Sequence, residues 1–203
     1  SIDNKFNSVI ITNPIKVNSS VLNSPYNYLS EIILGKKVFA IIGKVTPDKG
    51  VDFVLRAFQS LSMEYFLLVI GDNQSNYARS LLKKYARANI ISVGEINNLS
   101  ESGIYKIIDV LIRAEEFFCV GRTSLEAIYS GINILQPCDQ EEQDDNDLMK
   151  LCDGKLINYY IPRDSDSFIS AISKIDFSSD NLYLGSNLTA YEKNVMKAYE
   201  SIS

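Results

Sequence analysis

The chain has 203 residues, 46% of them hydrophobic and 22% charged, values that fit a globular protein and exclude a disordered or collagen-like one. Its formal net charge is −5 and its 20 basic residues are dispersed, so it offers no basic stripe for a nucleic-acid backbone, and nucleic-acid binding is not expected. The longest apolar runs, "VFAIIG" and "YFLLVIG", fall far short of the roughly 20 residues of a membrane-spanning helix, and nothing at the amino end resembles a signal peptide.

In chain order, "SVIITNPIKVNSS" places one short apolar run before Pro14 in a polar stretch, so residues 1–18 read as a linker or an incoming edge strand. The chain opens on Ser1, as expected of a piece of something longer. "KKVFAIIG" (36–43) reads as a buried strand, and "KGVDFVLRAFQSL" follows with Val51, Val54, Leu55, Phe58 and Leu61 on one helical face. The same unit recurs as "YFLLVIG" with "NYARSLLKKYA", "NIISVG" with "SESGIYKI" and "DVLIRA" with "TSLEAIYSG". Two more follow, "INILQPC" with "NDLMKLCDG" and "KLINYYI" with "DSFISAISKI". Six strands alternating with helices predict an α/β fold, a doubly wound, Rossmann-like parallel sheet with helices on both faces, over residues 19–177. Continuously apolar strands support burial on both faces, since a half-exposed strand would alternate. Residues 178–203 read as a Ser/Asn/Gly-rich break and an amphipathic carboxyl-terminal helix.

In such a sheet ligands bind beyond the carboxyl ends of the strands. The first of these loops, "GKVTPDKG", carries Gly43, Lys44 and Lys49 beside a helix amino terminus, a favourable place for phosphate; taken alone it is better read as an ordinary Pro-Asp turn with two solvated lysines. "VIGDNQ" and "SVGEI" also end strands in glycine, and Gly94 and Glu95 belong to the second of these. In "GRTSLEAIYSG", Thr123 is placed to cap a helix with Leu125, Ile128 and Tyr129 on its buried face, and Gly131 stands at a left-handed carboxyl cap. Thr123 and Glu126 have the spacing of a capping box, in which Glu126 bonds the cap's backbone N–H. The alternative is an anion site made by Arg122 and first-turn amides, with Glu126 left to accept from hydroxyls.

Histidine is absent, which excludes every His-based nucleophile or metal site. Cys119, Cys138 and Cys152 have no CxxC spacing and suit neither a disulfide framework nor zinc; the odd count suits a reducing compartment, so a cytoplasmic location is expected. The acidic run "DQEEQDDND" (139–147) is read as solvated rather than as a metal motif.

Taken in order, "GKVTPDKG", "VIGDN", "VGEI" and "EFFCVGRTSLEAIYSG" resemble the carboxyl-terminal half of retaining, GT-B-fold glycosyltransferases of family 4, over residues 10–175. "VIITNPI" is similar to the linker that enters this half from a missing amino-terminal domain. The resemblance implies a hexosyltransferase-like enzyme that takes sugar from a nucleotide-sugar donor, uses no cofactor or metal, and reaches a glycan or lipid acceptor through the missing domain. By itself the fragment is expected to bind donor weakly and to transfer nothing. A role in polysaccharide biosynthesis is implied too, in the cytoplasm or at the cytoplasmic face of a membrane, with peripheral association left open.

Carried onto this sequence, the resemblance implies that Gly43, Lys44 and Lys49 serve the diphosphate and that the backbone near Gly94 and Glu95 serves the base. It gives phosphate to the backbone of Thr123 and Ser124, and ribose to Glu126; the charge argument adds Arg122 to the phosphate. The family's paired glutamates stand eight positions apart, yet Phe118 is eight before Glu126 and Glu116 is ten before it. Either a two-residue insertion keeps Glu116 on the donor sugar as the catalytic acid, or that acid is lost; Glu116 is the assignment adopted. Lys44 stands where arginine is usual, which keeps charge but not two-pronged geometry. A degenerate, non-catalytic interaction module is the alternative, and an epimerase or other Rossmann-type enzyme lacks its glycine fingerprint here.

Overall fold

The computed structural model describes residues 24–115, 121–138 and 156–177. All six expected strands form: β1 (Lys37–Ile42), β2 (Tyr65–Ile70), β3 (Ile90–Gly94), β4 (Val110–Ile112), β5 (Asn133–Pro137) and β6 (Ile157–Tyr160). Every neighbouring pair is parallel, in the order β3-β2-β1-β4-β5-β6. The first three strands therefore build outward from β1 in one direction, and the chain then returns to add β4 on the other side of it. The loops leaving β1 and β4 part at this reversal, which is where such sheets open a crevice.

Side chains on successive strand residues point to opposite faces, and because both faces are covered the strands need no polar alternation. In β1, Val38 and Ala40 belong to one core cluster and Phe39 and Ile41 to the other. The first cluster includes Leu29 of helix α1 (Asn27–Ile32), Ile104 and Tyr105, and Ala127 and Ile128 of α4 (Arg122–Tyr129). The second is covered by α2 (Val51–Phe58), α3 (Asn76–Lys84) and α5 (Ser165–Lys174). Phe39, Phe58 and Phe168 are fully buried there, and burial of each such side chain contributes roughly 1.5–3 kcal/mol.

The α2 face is the expected one, with Val51, Val54, Leu55, Phe58 and Leu61 all buried. Ser75 caps α3 by accepting from the Ala78 N–H, and Asp164 caps α5 by accepting from the Ser167 N–H. Helix α4 ends as expected: Gly131 has φ 75, its N–H bonds the Ile128 carbonyl and the Ile132 N–H bonds the Ala127 carbonyl, the paired closure of a left-handed carboxyl cap.

Two elements differ from expectation. "SESGIYKI" forms two 3-10 turns, Leu99–Glu101 and Ile104–Ile107, and no α-helix, because Gly103 between them takes φ 75 and breaks the helical run. Helix α1 has no counterpart in the sequence reading; it is six residues long and buries only Leu29, too little to show a period. The linker or edge strand at 1–18, "NDLMKLCDG" and the carboxyl-terminal helix lie outside the described residues.

Candidate functional site

The loops leaving β1 and β4 are pressed together. Gly50, with φ 64, sits so close to Ala114 that a Cβ on it would lie 2.1 Å from the Ala114 carbonyl oxygen. Only glycine fits there, since a side chain would meet backbone on one side and left-handed strain on the other. A similar approach joins the next strand ends, where a Cβ on Gly71 would lie 2.0 Å from the Gly43 carbonyl oxygen.

On the β4 side the contact brings charges together. Lys49 Nζ lies 3.2 Å from Glu115 Oε1, and Arg113 Nε donates to Glu115 Oε2 at 3.0 Å. Arg113 Nη1 donates to the Ser124 hydroxyl at 2.7 Å, in the first turn of α4. One chain of contacts thus runs from the β1 loop through the β4 loop to a helix amino terminus. Partial burial alone would raise the Glu115 carboxyl, but Arg113 and Lys49 outweigh it and hold it below the usual carboxylate range.

A second network holds Glu126, which is 4% exposed. The Tyr105 hydroxyl donates to its Oε2 at 2.7 Å and Arg122 Nε donates to its Oε1 at 2.9 Å. Burial, reinforced by this carboxylate, pushes the Tyr105 phenol well above its ordinary pKa, so it serves as a donor throughout the physiological range. The capping-box expectation is therefore corrected. Helix α4 starts at Arg122 with Gly121 as its cap residue and no side-chain cap, which puts Thr123 inside the first turn and Glu126 on the side that meets Tyr105.

The remaining expected residues are distributed as follows. Gly43, Lys44 and Glu95 line a cavity of about 170 Å³ across the ends of β1, β2 and β3, with Ile96 and Leu99 as its apolar wall. Gly94 supports that wall by accepting from the Gly71 N–H at 2.8 Å. Lys44 and Lys49 thus face different neighbours, Lys44 toward this cavity and Lys49 toward Glu115. The Ser124 amide bonds the Gly121 carbonyl at 3.1 Å, so of the two expected phosphate-binding amides Ser124's is already engaged. The Leu125 and Tyr129 side chains are only half-buried, while Ser124 and Glu126 are buried in the α4 interface. Glu116 and the run 139–147 lie outside the described residues.

Arg113, Glu115 and Tyr105 were not singled out from the sequence. For the first two a signal existed: charged residues directly after a continuously apolar strand, on the edge where ligands bind. Tyr105 carried none, because its partner lies 21 positions away. Among the described residues no helix is long and apolar enough to cross a membrane.

No curated protein matches the chain by sequence. Among solved structures it is similar to the Alr3699/HepE protein of Anabaena, solved in complex with UDP and glucose, at 13% identity and a TM-score of 0.69, covering 94% of this chain and 56% of that one. It is also similar to the C-terminal domain of a glycosyl transferase group 1 family protein (LpcC) from Francisella tularensis, at 18% identity and a TM-score of 0.58, covering 90% and 96%. A putative UDP-N-acetylglucosamine 2-epimerase from Listeria monocytogenes shares the fold at 10% identity and a TM-score of 0.58, covering 92% and 50%. At these identities the likeness is one of fold, and the chain spans about half the length of the first and third of these structures. The model of the family described as glycosyl transferases group 1 matches residues 30–136, just over half of the sequence, and the chain belongs to that family.

Proposed function

We propose that the chain is the donor-binding half of a glycosyltransferase that moves a sugar from a nucleotide-diphosphate sugar to a glycan or lipid acceptor, with retention and without a metal. The observation that carries this is the arrangement at the reversal of strand order. A buried carboxylate, Glu126, is held at both oxygens by side chains, Arg122 among them, and does no capping, on a helix whose first turn the Arg113–Ser124 bond ties to the loop pair bearing Lys49. Departure of a nucleoside diphosphate develops negative charge, which Lys44, Lys49, Arg122 and the first turn of α4 are suited to stabilise. The 170 Å³ cavity beside Glu95 and Ile96 is a slot for a base, and Glu126 a receptor for ribose hydroxyls. The UDP and glucose named for the Anabaena structure support this choice of ligand class.

Acceptor binding falls to a second domain, and the chain alone binds donor weakly and transfers nothing. Glu116 is assigned to the donor sugar as the catalytic acid. The whole protein works in the cytoplasm, at a membrane's cytoplasmic face where its acceptor is a lipid, in polysaccharide biosynthesis.

Calorimetric titration with UDP and GDP tests the proposal: one of them is expected to bind saturably, and Lys49→Ala to weaken it. No saturable binding at millimolar nucleotide, or binding untouched by Lys49→Ala, overturns it. If Glu126→Ala lowered stability and left nucleotide affinity unchanged, a non-catalytic interaction module would be the better description.

A further inference from the structure

The first turn of a helix carries partial positive charge and favours an anion nearby. Helix α4 instead has a guanidinium against it: Arg113 Nη1 bonds Ser124 Oγ at 2.7 Å, and it lies 3.5 Å from where a Cβ on Gly121 would stand. Lys49 is brought to the same place by the contact of Gly50 with Ala114. Two cations and a positive helix end form an unfavourable set unless an anion lies among them. Among the described residues that anion is Glu115, which gives one oxygen to each cation. The side chains of Arg113 and Glu115 are only 11% and 20% exposed, so solvent neutralises this cluster poorly.

We propose that Arg113 is a donor-binding residue, acting with Lys49 on the diphosphate, and that Glu115 is the internal anion which the diphosphate displaces. This inference rests on the donor-binding reading above and adds two residues to it. A carboxylate and a diphosphate oxygen offer the same acceptor geometry to a guanidinium fork, so one exchanges for the other without rebuilding the loops. Glu115 keeps the cations apart and oriented before donor arrives, and its displacement sets an electrostatic cost that the larger charge and second phosphoryl group of a diphosphate offset better than a monophosphate does. A nucleoside monophosphate is discriminated against for that reason.

The test is calorimetry on the 203-residue chain with UDP or GDP, whichever the wild type binds, and with the matching monophosphate. Glu115→Gln keeps the size and removes the charge; it is expected to tighten the diphosphate about three- to tenfold and the monophosphate less. Arg113→Gln is expected to weaken the diphosphate at least about tenfold, as loss of a charge-assisted hydrogen bond does. In the double variant the gain from Glu115→Gln should shrink, since one of the cations it releases is gone. If Arg113→Gln does not fold, Arg113→Lys, which keeps charge but loses the fork, is expected to weaken binding to a lesser degree. Weaker binding in Glu115→Gln would make Glu115 a positioning residue and overturn the exchange. Unchanged affinity in both single variants, with only the melting temperature lowered, would make the cluster structural. A wild type that binds neither nucleotide overturns the donor-binding reading itself, a result separable from these.

Discussion

A carboxylate taken almost wholly out of water needs donors at both oxygens, and Glu126 has them in the Tyr105 hydroxyl and Arg122 Nε. Tyr105→Phe removes one donor and leaves the ring in its core cluster. It is expected to cost about 1–2 kcal/mol in urea unfolding, the usual penalty for an orphaned buried acceptor, and to lower nucleotide affinity because Glu126 is no longer held. A stability loss with wild-type affinity would confine Tyr105 to the core. Glu115 differs in kind, since its folded-state pKa lies below its unfolded value. The folded chain then binds fewer protons, so the stability from its ion pairs is present above the ordinary carboxylate range and is lost as pH falls through the lowered value. Glu115→Gln is expected to flatten the acid limb of a plot of melting temperature against pH; identical limbs would show that the ion pairs carry no stability.

At the scale of elements, glycines decide where helices start and stop. Gly131 closes α4 in the left-handed region, so Gly131→Ala is expected to cost about 1–2 kcal/mol of backbone strain. Gly50 has the same strain and a backbone carbonyl 2.1 Å from the new methyl carbon, so Gly50→Ala is expected to cost more than about 2 kcal/mol. It should also weaken nucleotide binding by separating Lys49 from Arg113. Thermal melts of the two variants check the order, and equal losses would refute the close approach. The strands were legible because they are continuously apolar, and α2 because its apolar positions repeat along one face through the helix and on to Leu61 just beyond it. The 99–107 segment was not, because Gly103 and Asn98 at positive φ override a helix-like pattern that one strong apolar period would have needed to sustain.

For the whole molecule, the reversal between β1 and β4 collects loops that are 60 or more residues apart in sequence, as the Lys49–Glu115 pair shows with a separation of 66. A ligand bound there ties together both halves of the sheet. Saturation with the nucleotide that binds, at about a hundred times its dissociation constant, is therefore expected to raise unfolding free energy by about 2.7 kcal/mol, read as a shift in melting temperature. Lys49→Ala should reduce that shift at equal nucleotide, and a shift that persisted undiminished would place binding elsewhere. The alternation of apolar strands and amphipathic helices by itself determined the fold class, because burial on both sheet faces leaves a local, periodic record. The same record, with four strand-end loops in order, pointed to the edge of the sheet where a donor would bind. Which charges meet there was decided only by tertiary structure: Thr123 and Glu126 have capping-box spacing, yet packing against Tyr105 turned Glu126 elsewhere. Lys49 joined Arg113 and Glu115 only because Gly50 let the two loops meet, a contact that no local pattern encodes.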